Sequence, residues 1–453
     1  MTTNNIAVLK FGGTSMGTAE TMNICADVIS NKIKQKEKPF VVVSAVSKMT
    51  DTLIKLLELA KNNKKHDLNT VFQASKDRHF EILKNLTKNA ELIEKYSKII
   101  NAKFAHLFEI LNGIILTSDY SEKTQAYVLS YGEDLSSDLM ELCLIENGIK
   151  GKKINSNKLV KTHGSYLSSD VDFIKTKRAF SKIAKEIENG TIFVMTGFFG
   201  GGIDNEIMLL GRGGSDFSGS IAGIALNAKI VEIWTDADGV MSADPRIIKE
   251  AKSWEEMNKD IASEMARAGA KVLHPKTISA SFYKIDILIR NLFNRAFNGT
   301  LINSKLYGDG VKGVVSDDDY SILHLENQDM FGSAGFVAKI GIIAKENNIS
   351  LDMTTTSETS ISFTIKTKTL NKVALKAFNS IADFSIVEDV VKVSVIGENI
   401  SNNQILEKLF TALKSSKIEP LMISMGHSNN NIGIIIKKND KVKTIESLHK
   451  AFF

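Results

Sequence analysis

Six short, largely apolar runs punctuate the first 300 residues, at 6–11, 40–44, 191–196, 207–210, 229–234 and 285–292. They read as strands buried in a sheet. Between the first two, apolar positions recur at helical spacing through Ala19, Met22, Cys25, Ala26 and Ile29. Strand, glycine turn, helix, strand is the pattern of a βαβ unit, so a mostly parallel sheet is predicted, with helices on both faces. Residues 64–120 differ: they are lysine-rich, glycine-poor and helical in period. Glu81, Glu91, Glu94 and Glu109 interrupt the lysines, so this stretch predicts a helical insertion with a solvated face rather than a basic patch. A long amphipathic helix is expected over 121–146, broken at Gly132–Glu133, and another over 172–187.

Past residue 300 the period changes. A strand is expected at 318–326, a helix at 336–347, strands at 349–356 and 360–367, a helix at 370–381 and a strand at 384–387. A similar order restarts with a strand at 391–396, a helix at 403–414, strands at 420–425 and 432–437 and a closing helix. This is a weak repeat of βαββαβ modules. The second copy is one strand short, and 299–302 is expected to supply it. The predicted divisions are an α/β domain over 1–298, a linker strand with a first α+β module over 299–390, and a second module over 391–453.

Composition narrows the classes. The length of 453 residues exceeds one ordinary core. A formal charge of +5 spread over many lysines gives no clustered basic face, so no nucleic-acid partner is expected. Cys25 and Cys143 lack metal or redox spacing and read as buried thiols in a reducing cytoplasm. The N-terminus has no signal-peptide pattern, and no apolar run suggests a membrane span.

Chemistry collects at the ends of the predicted strands. Lys10, Phe11, Gly12, Gly13, Thr14 and Ser15 close the first strand, with Ser44 and Thr50 after the second and Gly197 and Phe198 after the third. Leu210, Gly211, Arg212, Gly213, Gly214, Ser215 and Asp216 then open a helix. Glycines there let backbone N–H groups approach an anion, and Arg212 adds a planar fork. Neither GxxxxGK[ST], GxGxxG after the first strand, nor a protein-kinase motif set is present. Phosphoryl transfer asks mainly for positioning and positive charge, which Lys10, Arg212 and Lys271 offer. A carboxylate acceptor, with a pKa of about 4, needs no general base.

Four motifs in order carry a resemblance: Lys10 to Ser15, Gly211 to Asp216, Thr235–Asp236 through Asp244–Pro245–Arg246, and Gly269–Ala270–Lys271–Val272–Leu273–His274–Pro275. Together they resemble the signature set of the aspartate kinases, whose catalytic domain has the amino-acid kinase fold. The resemblance implies phosphorylation of the side-chain carboxylate of L-aspartate by ATP with Mg²⁺, the first step toward lysine, threonine and methionine. By the same resemblance Lys10 and Lys271 contact the ATP phosphates, and Asp216 holds both lysines. Thr50, Glu133, Arg212 and Ser215 bind aspartate, bordered by Gly197 and Phe198. Gly12, Gly13, Ser15, Thr235, Asp236 and Arg246 line the nucleotide. His274 receives no chemical role.

The C-terminal third resembles the paired, ferredoxin-like ACT modules of lysine-sensitive aspartate kinases. That likeness implies feedback inhibition by L-lysine, bound by Gly335, Phe336, Val337, Ser350, Leu351, Asp352 and Ser357. It also implies homo-oligomers, dimer or tetramer, assembled through these modules. A non-catalytic amino-acid sensor of the same fold is the rival class, and intact Lys10, Arg212, Asp216 and Lys271 weigh against it. Glutamate or acetylglutamate kinases share the fold but are not expected to combine these motifs with paired ACT modules. With nothing after Phe453, a monofunctional enzyme is expected.

Overall fold

The computed structural model describes residues 5–270, 274–330, 335–426 and 428–453. The chain forms two compact units. One comprises Met1–Val240, Glu255–Lys259 and His274–Lys305, the other Met241–Trp254, Asp260–Leu273 and Leu306–Phe453.

The first unit begins β1 (Ile6–Phe11), α1 (Ala19–Lys34), β2 (Lys38–Val43), α2 (Met49–Lys61), α3 (Lys65–Leu86), α4 (Ala90–Thr117), α5 (Glu122–Glu146) and β3 (Gly151–Ile154). A small hairpin, β4 (Thr162–Gly164) and β5 (Ser169–Val171), leads to α6 (Phe173–Ser181), α7 (Ala184–Glu188) and β6 (Ile192–Thr196). A second hairpin, β7 (Phe199–Gly201) and β8 (Ile207–Leu209), precedes α8 (Gly214–Leu226) and β9 (Ile230–Thr235). Then come β10 (Glu256–Asn258), α9 (Lys259–Arg267, which passes into the second unit), α10 (Ser279–Phe282), β11 (Asp286–Asn291) and β12 (Thr300–Asn303). Eight strands make one sheet, ordered β10-β12-β11-β9-β1-β2-β6-β3. From β11 to β3 every pairing is parallel, while β12 runs antiparallel to β11.

Alternation along the strands sorts the two faces. Ala7, Leu9, Phe11, Val41 and Val43 join the apolar core of α1 to α5. Phe40, of opposite parity, packs 5.7 Å from Phe180 of α6. The layer α1–α5 also holds Cys25 and Cys143, both free and buried, and burial pushes both thiols up, Cys143 to about 12.

Several expectations are corrected here. The break at Gly132–Glu133 is absent, since α5 is continuous. Gly132 serves contact instead: a Cβ there would lie 2.8 Å from Cβ of Ala45. The helix at 172–187 is two helices, α6 and α7. By length and composition α4 is apolar enough to cross a bilayer. In this fold its apolar stripe (Tyr96, Ile100, Phe104, Leu107, Leu111) is buried in the helical layer. Residues 300–302 do not complete the C-terminal repeat, because β12 pairs with β10 and β11 in the large sheet.

The second unit contains β13 (Gly310–Glu326), α11 (Phe336–Glu346), β14 (Thr354–Thr356), β15 (Ser360–Lys366), α12 (Lys372–Asn379), β16 (Asp383–Glu398), α13 (Asn403–Ser415), β17 (Met422–Met425), β18 (Asn431–Lys437) and α14 (Lys441–Phe452). Its sheet is antiparallel, ordered β14-β15-β13-β16-β18-β17. The repeat is real but fused: β13 and β16 each run through both halves. The first part of β13, from Gly310 to Asp317, pairs with the second part of β16, supplying the strand that was expected from 299–302. A register shift between Asp317 and Tyr320, with Asp319 at φ 69°, marks the join.

Candidate functional site

In the large sheet β1 has β2 on one side and β9 on the other. The chain therefore leaves β1 in one direction and later returns on its opposite flank. Such a switch point opens a crevice at the carboxyl ends of the strands. Lys10 sits there, 5% exposed, its ammonium ion-paired with Asp216 of α8. Close approach of α8 allows the pair, since a Cβ on Gly219 would lie only 3.1 Å from Cβ of Lys10. Gly213, at φ 69°, starts α8 without a side-chain cap, so Asp216 is not the cap of its helix. A side chain at Gly213 would strike His274, 2.3 Å from Cγ. His274 is a local cap, its Nδ1 accepting from the Lys276 N–H at 3.3 Å.

Glu133 approaches the same place from α5. It is 2% exposed, and its Oε1 accepts a 2.9 Å hydrogen bond from Ser215 Oγ. Oε2 is buried with no hydrogen-bond partner. Burial pushes the Glu133 carboxyl up to about 7, against the pull of Ser215, the Ala45 backbone N–H and Lys10. A buried carboxylate oxygen without a donor is costly and calls for a partner. Gly197 lies against Ser215, with room for no Cβ: one would fall 3.0 Å from Ser215 Cβ. Phe198, at φ 74°, donates its N–H to Ser218 Oγ at 3.0 Å. Ser218 was not singled out from sequence, because a serine inside a helix has no local signal for a distant backbone partner.

The loop after β1 is tied to the end of β9. The Gly12 N–H donates to Trp234 O at 3.1 Å, and Ser15 Oγ to the same oxygen at 3.5 Å. Thr235 and Asp236 follow at once, linked by a 3.2 Å side-chain hydrogen bond. Thr50 is half-buried in the first turn of α2, which begins after Lys48, so Thr50 does not cap it. Arg212 is exposed in the turn before α8. Arg246 belongs to the second unit, its guanidinium bidentate on Asp244 at 2.9 and 2.5 Å. Lys271 lies outside the described residues. Lys10, Asp216, Glu133, Ser215, Gly197 and Phe198 thus come together, with Gly12, Gly13, Ser15, Thr235 and Asp236 on adjoining loops.

In the second unit Gly335, at φ 94°, starts α11; Phe336 is buried and Val337 exposed. Asp352 pairs with the buried Lys392 of β16 at 2.6 Å, and its N–H donates to Thr364 O at 3.0 Å. Ser350 is exposed and Leu351 half-buried. Ser357 closes a turn with Ser360, N–H to O at 2.8 Å.

The chain matches the amino acid kinase family over residues 5–291 and the ACT domain over 393–452. It is 31% identical to the bifunctional aspartokinase/homoserine dehydrogenase of Buchnera aphidicola, across 98% of this chain and 56% of that protein. This chain therefore spans little more than half of that relative. Against chloroplastic aspartokinase 2 of Arabidopsis thaliana the identity is 30%, covering 98% and 84%. Two solved structures of E. coli aspartokinase III align at 26% identity. The complex with aspartate and ADP, described as the R-state, has a TM-score of 0.88 and coverage of 98% and 99%. The complex with lysine and aspartate, the T-state, has 0.79 and coverage of 99% and 100%. By these matches, and by a fold that sets a buried lysine at its switch point, the chain belongs to the amino acid kinase family and, within it, to the aspartokinases.

Proposed function

We propose that this chain transfers the terminal phosphoryl group of ATP to the side-chain carboxylate of L-aspartate, giving 4-phospho-L-aspartate and ADP. The buried Lys10–Asp216 pair beside the half-satisfied Glu133 carries this reading. Lys10 places positive charge where the transferred group spreads its negative charge, and Asp216 keeps that ammonium from wandering. The free Oε2 of Glu133 accepts the ammonium of aspartate, whose arrival favours the ionised carboxylate. Ser215 aims Glu133, and Arg212 clamps the α-carboxylate of the substrate in bidentate fashion. Thr50, Gly197 and Phe198 border the acceptor. Gly12, Gly13 and Ser15 pass the phosphates, Thr235, Asp236 and Arg246 the rest of the nucleotide, and Lys271 is a second phosphate cation.

Mg²⁺ accompanies ATP in this reading. Among the described residues no three His, Cys, Asp or Glu side chains converge, so the ion is assigned to phosphate oxygens, where it would neutralise charge. The E. coli enzyme with aspartate and ADP supports the substrate pair, and its lysine complex supports L-lysine as effector. Lysine is assigned to Gly335, Phe336, Val337, Ser350, Leu351, Asp352 and Ser357, with homo-oligomers forming through the ACT modules.

The test is ATP turnover with L-aspartate against L-glutamate, each alone and with L-lysine or L-threonine. Turnover with aspartate alone, suppressed by lysine, is expected. No turnover with aspartate overturns the substrate; suppression by threonine and not by lysine overturns the effector.

A further inference from the structure

The helical insertion α3–α4 contributes no residue to the site described above, yet one of its side chains reaches two of the loops that form it. Arg78 of α3 is half-buried. Its Nη1 donates to Ser47 O at 2.6 Å, and its Nη2 to Gly17 O at 3.2 Å. Gly17 belongs to the loop after β1, which carries Gly12, Gly13 and Ser15. Ser47 belongs to the loop after β2, whose Ala45 packs against α5 at Gly132, the residue before Glu133. The loops lie directly against each other: a Cβ on Gly13 would fall 3.4 Å from Ala45 O, and one on Gly17 3.7 Å from Ser47 Cβ. At Gly13 and Gly17 the first loop has no side chain to space them. What bridges them is a rigid planar fork with two donors, a geometry that lysine lacks.

The base of the fork is equally fixed. α3 buries Phe72, Ile82, Leu83 and Leu86, and the neighbouring His79 is buried with Nδ1 2.7 Å from Ser75 O. A guanidinium anchored in this way sets the distance between one loop on the phosphate side and one on the amino-acid side.

We infer that Arg78 is a positioning residue for the transfer, clasping the phosphate-side and acceptor-side loops so that donor and acceptor meet at reacting distance. The inference rests on the reading of those loops given under Proposed function. Misplacement of reacting groups by about 1 Å costs on the order of a hundredfold in rate, and the loss falls on the step in which both substrates must be aligned.

The test compares Arg78→Lys, which keeps the charge but not the fork, and Arg78→Ala with the unmodified full chain. Two measurements are made: kcat and KM for each substrate, and amide hydrogen exchange. In both variants kcat is expected to fall about tenfold to a hundredfold, with KM for ATP and for aspartate within about threefold. Exchange at residues 12–18 and 44–49 accelerates together, while the buried face of α3 stays protected. Unchanged exchange in the two loops, or an unchanged kcat, overturns the clasp. So does acceleration spread evenly through α1 to α5, which signals a merely structural tether. If the unmodified chain does not turn over aspartate but the two loops still loosen together, the assigned function fails and the clasp stands.

Discussion

Glu133 and Asp134 are neighbours on α5, both largely buried, and their fates are opposite. Asp134 is enclosed by Lys103 at 2.6 Å and Lys153 at 2.6 Å; Asp138 contacts the same two lysines. Burial alone would raise the Asp134 carboxyl, but the two ammonium groups outweigh it and hold it below the usual carboxylate range. Two cations and two anions close on themselves. Glu133 has a hydroxyl, the backbone groups of Ala45 and of its own residue, and a more distant ammonium, and one of its oxygens is bare. A buried charge cluster closed on itself serves as scaffold, whereas the half-satisfied carboxylate beside a cation is the place proposed above for the substrate. Successive helix positions point about 100° apart, which is why adjacent carboxylates reach such different surroundings.

The comparison breaks most severely through Asp134→Ala. Leaving Lys103 and Lys153 short of a carboxylate is expected to cost about 3 kcal/mol of stability, the lower part of the range for breaking a buried pair because Asp138 remains. The urea midpoint measures this, and KM for aspartate in the folded variant should not move. Next is Lys10→Met, which removes the cation at the crevice. Here kcat is expected to drop about 10²–10³-fold, the size of losing one preorganised electrostatic group. A variant that keeps its rate would put the transferred charge elsewhere.

Glu133→Gln is expected to raise KM for aspartate about tenfold to a hundredfold, as for a lost charged hydrogen bond, with KM for ATP little changed. Equal effects on both substrates would end the contrast with Asp134. The smallest effect is a pH dependence. The folded Glu133 carboxyl is raised to about 7 from an unfolded value near 4.5. Its stabilising share is thus fully present below pH ~4.5 and declines as pH rises through about 7. In the proposed binding mode the substrate's contribution runs the other way, since only the ionised form attracts ammonium. KM for aspartate should fall as pH rises through about 7, and Glu133→Gln should flatten that profile.

Much of the first unit was legible because its strands are buried on both faces and announce themselves as apolar runs. The turn after β1 was legible as Gly12–Gly13 following a lone lysine. Edges were not. β3 reads Gly-Lys-Lys-Ile, too polar and too short to register, and β4, β5 and β7 have three residues each, whereas β8 falls in the apolar run 207–210. The break expected in α5 falls at Gly132, a residue of poor helix propensity. Propensity costs about 1 kcal/mol, and close contact with Ala45 outweighs it. Arg78 was invisible because its partners are carbonyl oxygens 31 and 61 residues away, and carbonyls carry no residue signature.

By itself the sequence determined the βαβ order, the repeat in the last third, and which strand ends are rich in glycine and charge. Those features depend on local period and turn chemistry, which neighbouring residues encode. Only the tertiary structure decided that Lys10 meets Asp216, that Glu133 is buried with a bare oxygen while Asp134 is closed off, and that 300–303 joins the large sheet. Strand pairing, burial and ion pairing depend on residues some 200 positions apart or more, 206 for Lys10 and Asp216 and 223 for the paired Ala7 and Ile230. Their energies are set by what the fold excludes from water, a quantity with no local trace in the chain.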